Sequence, residues 1–212
     1  MNIDNYQKNK IEEIIRVNHA GEYGAKLIYQ GQICALKIKG DTKTLEIVEN
    51  MKKQELSHLD YFEKQIVSNQ VRPTIMQPIW KIGGFALGFL TAIIDKKSAM
   101  TCTTAVEEII DQHYQKQINE LEDIKTRNNS LLAKNINQID DSNSHKKHDL
   151  NQINDQKKLD DLYHNINKFR QEEIEHRDIG LNHNAKDFVF YKPLDILIKF
   201  TTKLAINISK KI

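Results

Sequence analysis

The pattern Glu-x-x-His occurs twice in this chain, each time within a helical repeat of apolar residues. The first copy is Glu55 and His58 in KQELSHLD (53–60), and the second is Glu173 and His176 in QEEIEHRD (171–178). Residues three apart on an α-helix lie on the same face, so each pair can bind one object. A single copy is weak evidence, and two copies suggest a shared site only if two other helices each supply a carboxylate.

Ferritin-like dimetal proteins have this arrangement: two helices each supply Glu-x-x-His and two others each supply one glutamate. Glu22 lies in NHAGEYGA (18–25), among small residues that allow close approach of a metal or a backbone. Glu107 is in phase with Ile110 on an apolar, inward-facing stripe. Buried carboxylates are costly unless they are paired or bind a cation. The predicted metal ligands are Glu22, Glu55, His58, Glu107, Glu173 and His176.

The apolar periodicity predicts an all-α fold. Bundle helices are expected over 7–38, 42–67, 98–125 and 159–179, with an additional C-terminal helix over 187–208 that has Pro193 in its first turn. The chain has 8 Gly and 3 Pro, which suits long helices. We expect one ferritin-like four-helix domain over residues 1–212, because a single core can grow to about 250 residues.

Two segments do not fit a plain bundle. The apolar run 79–94 forms the crossover between the helix pairs, and it is shorter than the roughly 20 residues of a typical membrane span. It is a buried core helix, a hairpin lying in the membrane interface, or the apolar entrance for a substrate. The stretch 127–158 is rich in Asn, Asp, Gln, Ser and Lys, which predicts a disordered insertion. Its length is close to the difference between the Glu107–Glu173 and Glu22–Glu55 separations, so without it the two halves match.

Charge and cysteine content narrow the functional classes. A formal net charge of +2, without a basic run interleaved with aromatics, argues against nucleic-acid binding. Cys34 and Cys102 form no C-x-x-C motif, and the N-terminal residues resemble neither a signal nor a transit peptide. We therefore expect a bacterial protein on the cytoplasmic side. Carboxylate and imidazole ligands without thiolate suit iron or manganese, and iron is the productive choice with dioxygen.

Four motifs resemble the 5-demethoxyubiquinone hydroxylases, the di-iron family of ubiquinone biosynthesis. They are RVNHAGEYGA (16–25), QELSHLDYF (54–62), AVEEIIDQHY (105–114) and FRQEEIEHRDIGL (169–181). The resemblance places the family's iron ligands on the same six residues. It also implies a relay role for His113 and Tyr114 between quinol and metal.

The resemblance implies a monooxygenase with two iron ions. It would hydroxylate the ring of a polyprenyl demethoxyquinol with dioxygen and an external reductant. It further implies peripheral association with the bacterial inner membrane, and it allows oligomers and contacts with other ubiquinone-biosynthesis proteins. The alternatives are a ferritin-like protein that handles iron or peroxide, and a metal-free helical scaffold whose inward carboxylates pair with Lys or Arg.

Overall fold

The computed structural model describes residues 3–136 and 145–211, with side chains described over 5–130 and 155–211. These residues form six α-helices and one short 3₁₀ turn, without any β-strand, so the all-α prediction is confirmed. The helices are α1 (Ile3–Lys39), α2 (Thr42–Ser68), α3 (Gln77–Ile94), α4 (Lys96–Ile136), α5 (His145–Asn182) and α6 (Tyr191–Ser209). The fold is ferritin-like: α1, α2, α4 and α5 are the bundle helices, α3 is the crossover and α6 the additional helix.

The turn between α1 and α2 follows from three residues. Gly40 adopts φ +68°, a left-handed conformation that favours glycine, and it ends α1. Asp41 then caps α2, because its carboxylate accepts hydrogen bonds from the backbone N–H of Thr44 at 3.1 Å and from the Thr44 hydroxyl at 2.8 Å. This tight turn makes α1 and α2 antiparallel neighbours.

Two glycines bring α1 and α3 into direct backbone contact. A Cβ atom on Gly88 would lie 1.9 Å from the carbonyl oxygen of Ile28, and one on Gly31 would lie 2.2 Å from that of Phe85. Helices can approach this closely only where side chains are absent at the crossing. The opposite faces of α3 carry exposed apolar residues instead, among them Ile82 and Leu90.

Within the described residues, α3 is the one helix long and apolar enough to cross a membrane, judged by its 18 residues and its composition. The expectation that the run is too short to span therefore does not hold on length. Only 17% of this stretch is buried, so the buried-core alternative is also not what the structure shows.

Contacts divide the chain into two compact units, Met1–Ile110 with Glu172–Ile212, and Asp111–Gln171. The first unit has a core that includes Tyr29, Leu36, Val48 and Met100. The single-domain expectation stays a prediction.

The second unit consists of the later part of α4 and the earlier part of α5. Its buried residues include Ile118, Leu121, Leu162 and Ile166. Polar contacts join the two helical segments within this unit: Arg170 Nε donates to Asp111 Oδ1 at 2.7 Å, Tyr163 donates to Glu122 at 2.8 Å, and Lys125 lies 2.7 Å from Asp160.

The predicted insertion 127–158 differs from the expectation over most of its length. Residues 127–136 continue α4 and residues 145–158 begin α5, whereas 137–144 lie outside the described residues. Asn, Asp, Gln and Lys lower the apolar content without preventing helix formation, because Lys and Gln are good helix formers and an existing helix extends more readily than a new one forms. Disorder of residues 137–144 stays a prediction.

The glycine crossing of α1 and α3 can be tested by substitution. Gly88→Ala should lower the free energy of unfolding by about 1–3 kcal/mol, because its Cβ would overlap the backbone of α1. Gly83→Ala is the matched control, since a Cβ there meets nothing within 4 Å and alanine favours the helix by up to about 1 kcal/mol. Urea unfolding followed by circular dichroism measures both; equal effects would contradict the close crossing.

Candidate metal centre

The six predicted ligands lie in the first unit, on four helices. Glu22 is on α1, Glu55 and His58 are on α2, Glu107 is on α4, and Glu173 and His176 are on α5. No one of the six is more than 3% exposed. Sequence spacing predicted each pair on its own helix, and the fold brings the four helices together around them.

The ligand atoms form two groups that share two glutamates. The first group is Glu22, Glu55, His58 and Glu173, and the second is Glu55, Glu107, Glu173 and His176. Within each group, one ligand atom from every residue lies within 4.8 Å of the others. Two cation positions with Glu55 and Glu173 common to both are the arrangement that a dimetal centre requires.

Glu173 contacts both histidines through different oxygens. Its Oε1 lies 3.1 Å from Nδ1 of His58, and its Oε2 lies 3.3 Å from Nδ1 of His176. Glu22 Oε2 is 3.5 Å from the same nitrogen of His58, and Glu55 Oε1 is 3.1 Å from that of His176. Both imidazoles therefore direct Nδ1 towards the carboxylates.

The outer nitrogens and one carboxylate have further partners. His58 Nε2 lies 2.5 Å from Glu172 Oε2, and His176 Nε2 lies 2.7 Å from Gln54 Oε1. Since both partner atoms are acceptors, each Nε2 carries the hydrogen and donates it. The hydroxyl of Tyr29 donates to Glu107 Oε1 at 2.7 Å.

Burial and mutual charge shift the pKa values of these groups. Burial opposes the charged form of both histidines, but their close contacts with the carboxylate of Glu173 outweigh it, together with Glu22 for His58 and Glu55 for His176. The pKa of His58 is therefore raised to about 12 and that of His176 to about 11. Burial and the charge of Glu173 raise the pKa of both Glu55 and Glu107 well above its ordinary value. For Glu173, burial acts in the same direction, yet the two histidines lower its pKa to about 2.

The donor set fits a pair of divalent cations. Among the described residues, no lysine or arginine forms an ion pair with Glu55, Glu107 or Glu173, although burial makes uncompensated charge costly. Both oxygens of Glu55, Oε2 of Glu173 and Nδ1 of His176 lack a hydrogen-bond partner. Four carboxylates also exceed the charge of two imidazolium rings. Cations at the two positions would satisfy these atoms and balance the charge.

His113 and Tyr114 belong to the second unit. Tyr114 is 1% exposed, and His113 Nε2 lies 2.8 Å from the side-chain nitrogen of Gln117. Their role as a relay stays a prediction from the resemblance.

Sequence reasoning missed Gln54, Glu172 and Tyr29. Gln54 and Glu172 each stand immediately before the glutamate of a Glu-x-x-His copy, so the repeated acceptor at that position was an available signal. Tyr29 lies two helical turns after Glu22 on the same face of α1, which spacing indicates but does not single out.

An apolar cavity of about 330 Å³ lies in the first unit between α1, α3, α4 and α6. Its lining includes Gly21 and Val106, the residues directly before Glu22 and Glu107. Most of the other lining residues are apolar or glycine, with Trp80 and Leu87 among the largest. An apolar ligand in this cavity would thus contact the helix positions directly before two of the four carboxylates.

The helical fold and the buried cluster define a ferritin-like protein with a site compatible with two iron ions. Residues 9–209 match the family model of the ubiquinone biosynthesis protein COQ7. The chain belongs to this family, as the sequence motifs indicated.

Three relatives show how similar this chain is to other proteins of the family. The human NADPH-dependent 3-demethoxyubiquinone 3-hydroxylase, mitochondrial, is 37% identical over 212 residues, which covers 100% of this chain and 82% of the relative. The 3-demethoxyubiquinol 3-hydroxylase of Rhodospirillum rubrum is 35% identical, covering 95% of this chain and 78% of the relative. The 5-demethoxyubiquinone hydroxylase, mitochondrial, of Saccharomyces cerevisiae is 29% identical, covering 100% of this chain and 82% of the relative.

Repulsion between the buried carboxylates should lower the free energy of unfolding of the metal-free protein. Glu107→Gln should raise its free energy of unfolding at pH 7 by about 0.5–2 kcal/mol, because one buried acid is removed from beside Glu55 and Glu173. The raised pKa of Glu107 means that wild-type stability falls as pH rises above the ordinary value of 4.5, so the gain should shrink towards pH 5.

Thermal unfolding of metal-free protein, with and without added Mn²⁺, measures this effect. The control Glu108→Gln removes a half-exposed partner of Lys199 and should change stability by less than about 1 kcal/mol. Added Mn²⁺ should stabilise the wild type more than Glu107→Gln. A variant at position 107 that is less stable without metal would contradict the repulsion argument.

Proposed function

We propose that this protein hydroxylates the ring of a polyprenyl demethoxyquinol with dioxygen in ubiquinone biosynthesis. The observation that carries the proposal is the buried cluster of four carboxylates and two imidazoles beside an apolar cavity. The names of the relatives describe the same reaction class. The residues proposed to hold two iron ions are Glu22, Glu55, His58, Glu107, Glu173 and His176.

Iron bound there would activate dioxygen, because dioxygen does not hydroxylate the closed-shell quinol ring unaided. The chain's own contribution is positioning. Glu55 and Glu173 belong to both ligand groups and would hold the two cations close together. Glu172 and Gln54 keep the hydrogen of each imidazole on Nε2, which leaves Nδ1 for the metal. Burial of the cluster keeps bulk water away from the reaction.

The cavity supports a ring substrate with an apolar tail. Its volume of about 330 Å³ is at the lower end of small-molecule sites, which is enough for a substituted ring but not for a long isoprenoid chain. We propose that the ring occupies the cavity next to Gly21 and Val106, while the tail leaves between helices towards the lipid phase.

Electrons are proposed to come from an external reductant. Ring hydroxylation consumes one dioxygen, two electrons and two protons, and releases one water. The sequence has no G-x-G-x-x-G motif, so a nicotinamide nucleotide would dock on the surface or act through the quinone itself. The human relative is named as NADPH-dependent, which supports a nicotinamide as the source.

Peripheral membrane association is proposed for α3 and α6. Both helices line the cavity, and both expose large apolar side chains, among them Ile82 at 74% and Phe200 at 63%. A spanning α3 would carry α1 into the bilayer, because their backbones touch at Gly88, yet α1 carries Lys26 and Lys37. An interfacial position, on the cytoplasmic side of a bacterial inner membrane, avoids that cost.

The central test combines metal content with product formation. Iron-loaded wild type should contain two irons per chain and hydroxylate a short-tailed demethoxyquinol, detected by mass spectrometry. Glu173→Ala should lose both iron and hydroxylation, because it removes a ligand shared by both groups. Ala205→Phe narrows the cavity without touching the cluster, so it should keep iron and lose turnover. Iron without hydroxylation in the wild type would favour a ferritin-like role, and no metal would favour a scaffold.

Membrane association can be tested by sedimentation with vesicles of bacterial phospholipid. The double variant Ile82→Glu/Phe200→Glu should bind vesicles at least about tenfold more weakly, since each large apolar side chain contributes about 1.5–3 kcal/mol when buried. The control Ile38→Glu/Val67→Glu places the same charges on exposed apolar residues of α1 and α2 and should bind like wild type. Equal loss in both variants would refute the assignment to α3 and α6.

A further inference from the structure

The two Glu-x-x-His copies hold each other's histidine in place. Gln54 stands immediately before Glu55 on α2 and accepts from His176 of α5 at 2.7 Å. Glu172 stands immediately before Glu173 on α5 and accepts from His58 of α2 at 2.5 Å. Each ligand helix therefore orients the imidazole of the other helix through the residue next to its own ligand.

The two acceptors differ in charge, although their places are equivalent. A carboxylate accepts a stronger hydrogen bond than an amide oxygen and places negative charge beside the ring. A stronger acceptor on Nε2–H makes Nδ1 a better electron donor to a cation. His58 should therefore be the stronger of the two imidazole ligands.

Tyr29 acts on one of the two carboxylates that the groups do not share. Its hydroxyl donates to Glu107, which belongs only to the ligand group of His176. A donated hydrogen bond withdraws charge from the carboxylate and makes it a weaker ligand. Glu55 and Glu173 are common to both groups, so the contrast between the two positions rests on the acceptors of the two histidines, Glu172 and Gln54.

We propose that the two cation positions are unequal, that the position of Glu22 and His58 fills first and binds more tightly, and that Glu172 and Gln54 are the positioning residues that set this order. The inference rests on the proposed dimetal site and concerns the order of metal binding, which is separate from the reaction. Ordered filling would give the centre one firmly held cation and one more readily exchanged.

The test is a titration of metal-free, full-length protein with Mn²⁺, followed by calorimetry and by electron paramagnetic resonance. Wild type should bind in two steps separated by at least tenfold in affinity. The first equivalent should show an isolated Mn²⁺ signal and the second a coupled pair. Glu172→Gln should weaken the first step by about 10–100-fold, the usual effect of removing such a partner.

Four further variants separate positioning from general charge and from folding. Gln54→Glu should increase the affinity of the second Mn²⁺-binding step. Tyr29→Phe should also increase it and should leave the affinity of the first step unchanged. The double variant Gln54→Glu/Glu172→Gln keeps the total charge, yet should narrow the separation between the steps. Glu175→Gln removes the same charge from an exposed position on α5 and should behave like wild type. Circular dichroism checks that each variant folds.

Two binding steps of equal affinity in the wild type would overturn this proposal. So would an unchanged affinity of the first step in Glu172→Gln, or a loss of affinity in Glu175→Gln as large as that in Glu172→Gln. Each of these results would leave the proposed hydroxylase function standing, because that is measured by product formation with iron. Conversely, ordered Mn²⁺ binding without hydroxylation by the iron-loaded protein would support unequal positions and refute the function. Absence of any Mn²⁺ binding would overturn the unequal positions, while product formation with iron would still decide the function.

Discussion

Four acidic side chains buried within reach of one another are the constraint on which this structure depends. In water four such carboxylates would repel one another weakly. In the interior of a helical bundle, the desolvation of each carboxylate and the repulsion between the carboxylates are large. The two histidines offset part of this cost, and Glu173 contacts both of them. The raised pKa values of Glu55 and Glu107 favour their neutral forms, and cations at the site would balance the remaining charge. The geometry proposed to hold metal therefore also makes the metal-free chain less stable.

The need to hold these groups explains why the fold uses long helices. Each ligand comes from a helix whose register is maintained over many turns, and four helices converge on one volume. The glycine contacts between α1 and α3 place the crossover directly against the helix that carries Glu22. The same crossover lines the apolar cavity, so one packing arrangement connects the polar cluster with an exposed apolar face. A reaction between dioxygen and a lipid-soluble ring requires that combination.

The internal repeat gives the centre similar ligands and dissimilar surroundings. Glutamate and Glu-x-x-His recur in both halves, and the two groups share Glu55 and Glu173. The side chains around them do not repeat: a carboxylate accepts from one histidine and an amide oxygen accepts from the other. Differences of this kind are the means by which a protein distinguishes two otherwise equivalent metal positions.

The helices, the six candidate ligands and the family could be predicted from the sequence, because all three depend on spacing along one helix or on contiguous motifs. Periodicity shows which residues share a face, so Glu55 with His58 and Glu173 with His176 could be paired without coordinates. Contacts between different helices could be seen only in the folded structure. Gln54 faces His176, Glu172 faces His58 and Gly88 meets Ile28, because such contacts depend on the crossing and register of helices distant in sequence. Residues 127–136 and 145–158 are helical where disorder was predicted, for a related reason. Composition reports how little apolar surface a segment can bury, whereas an adjoining helix supplies the nucleus from which the backbone continues.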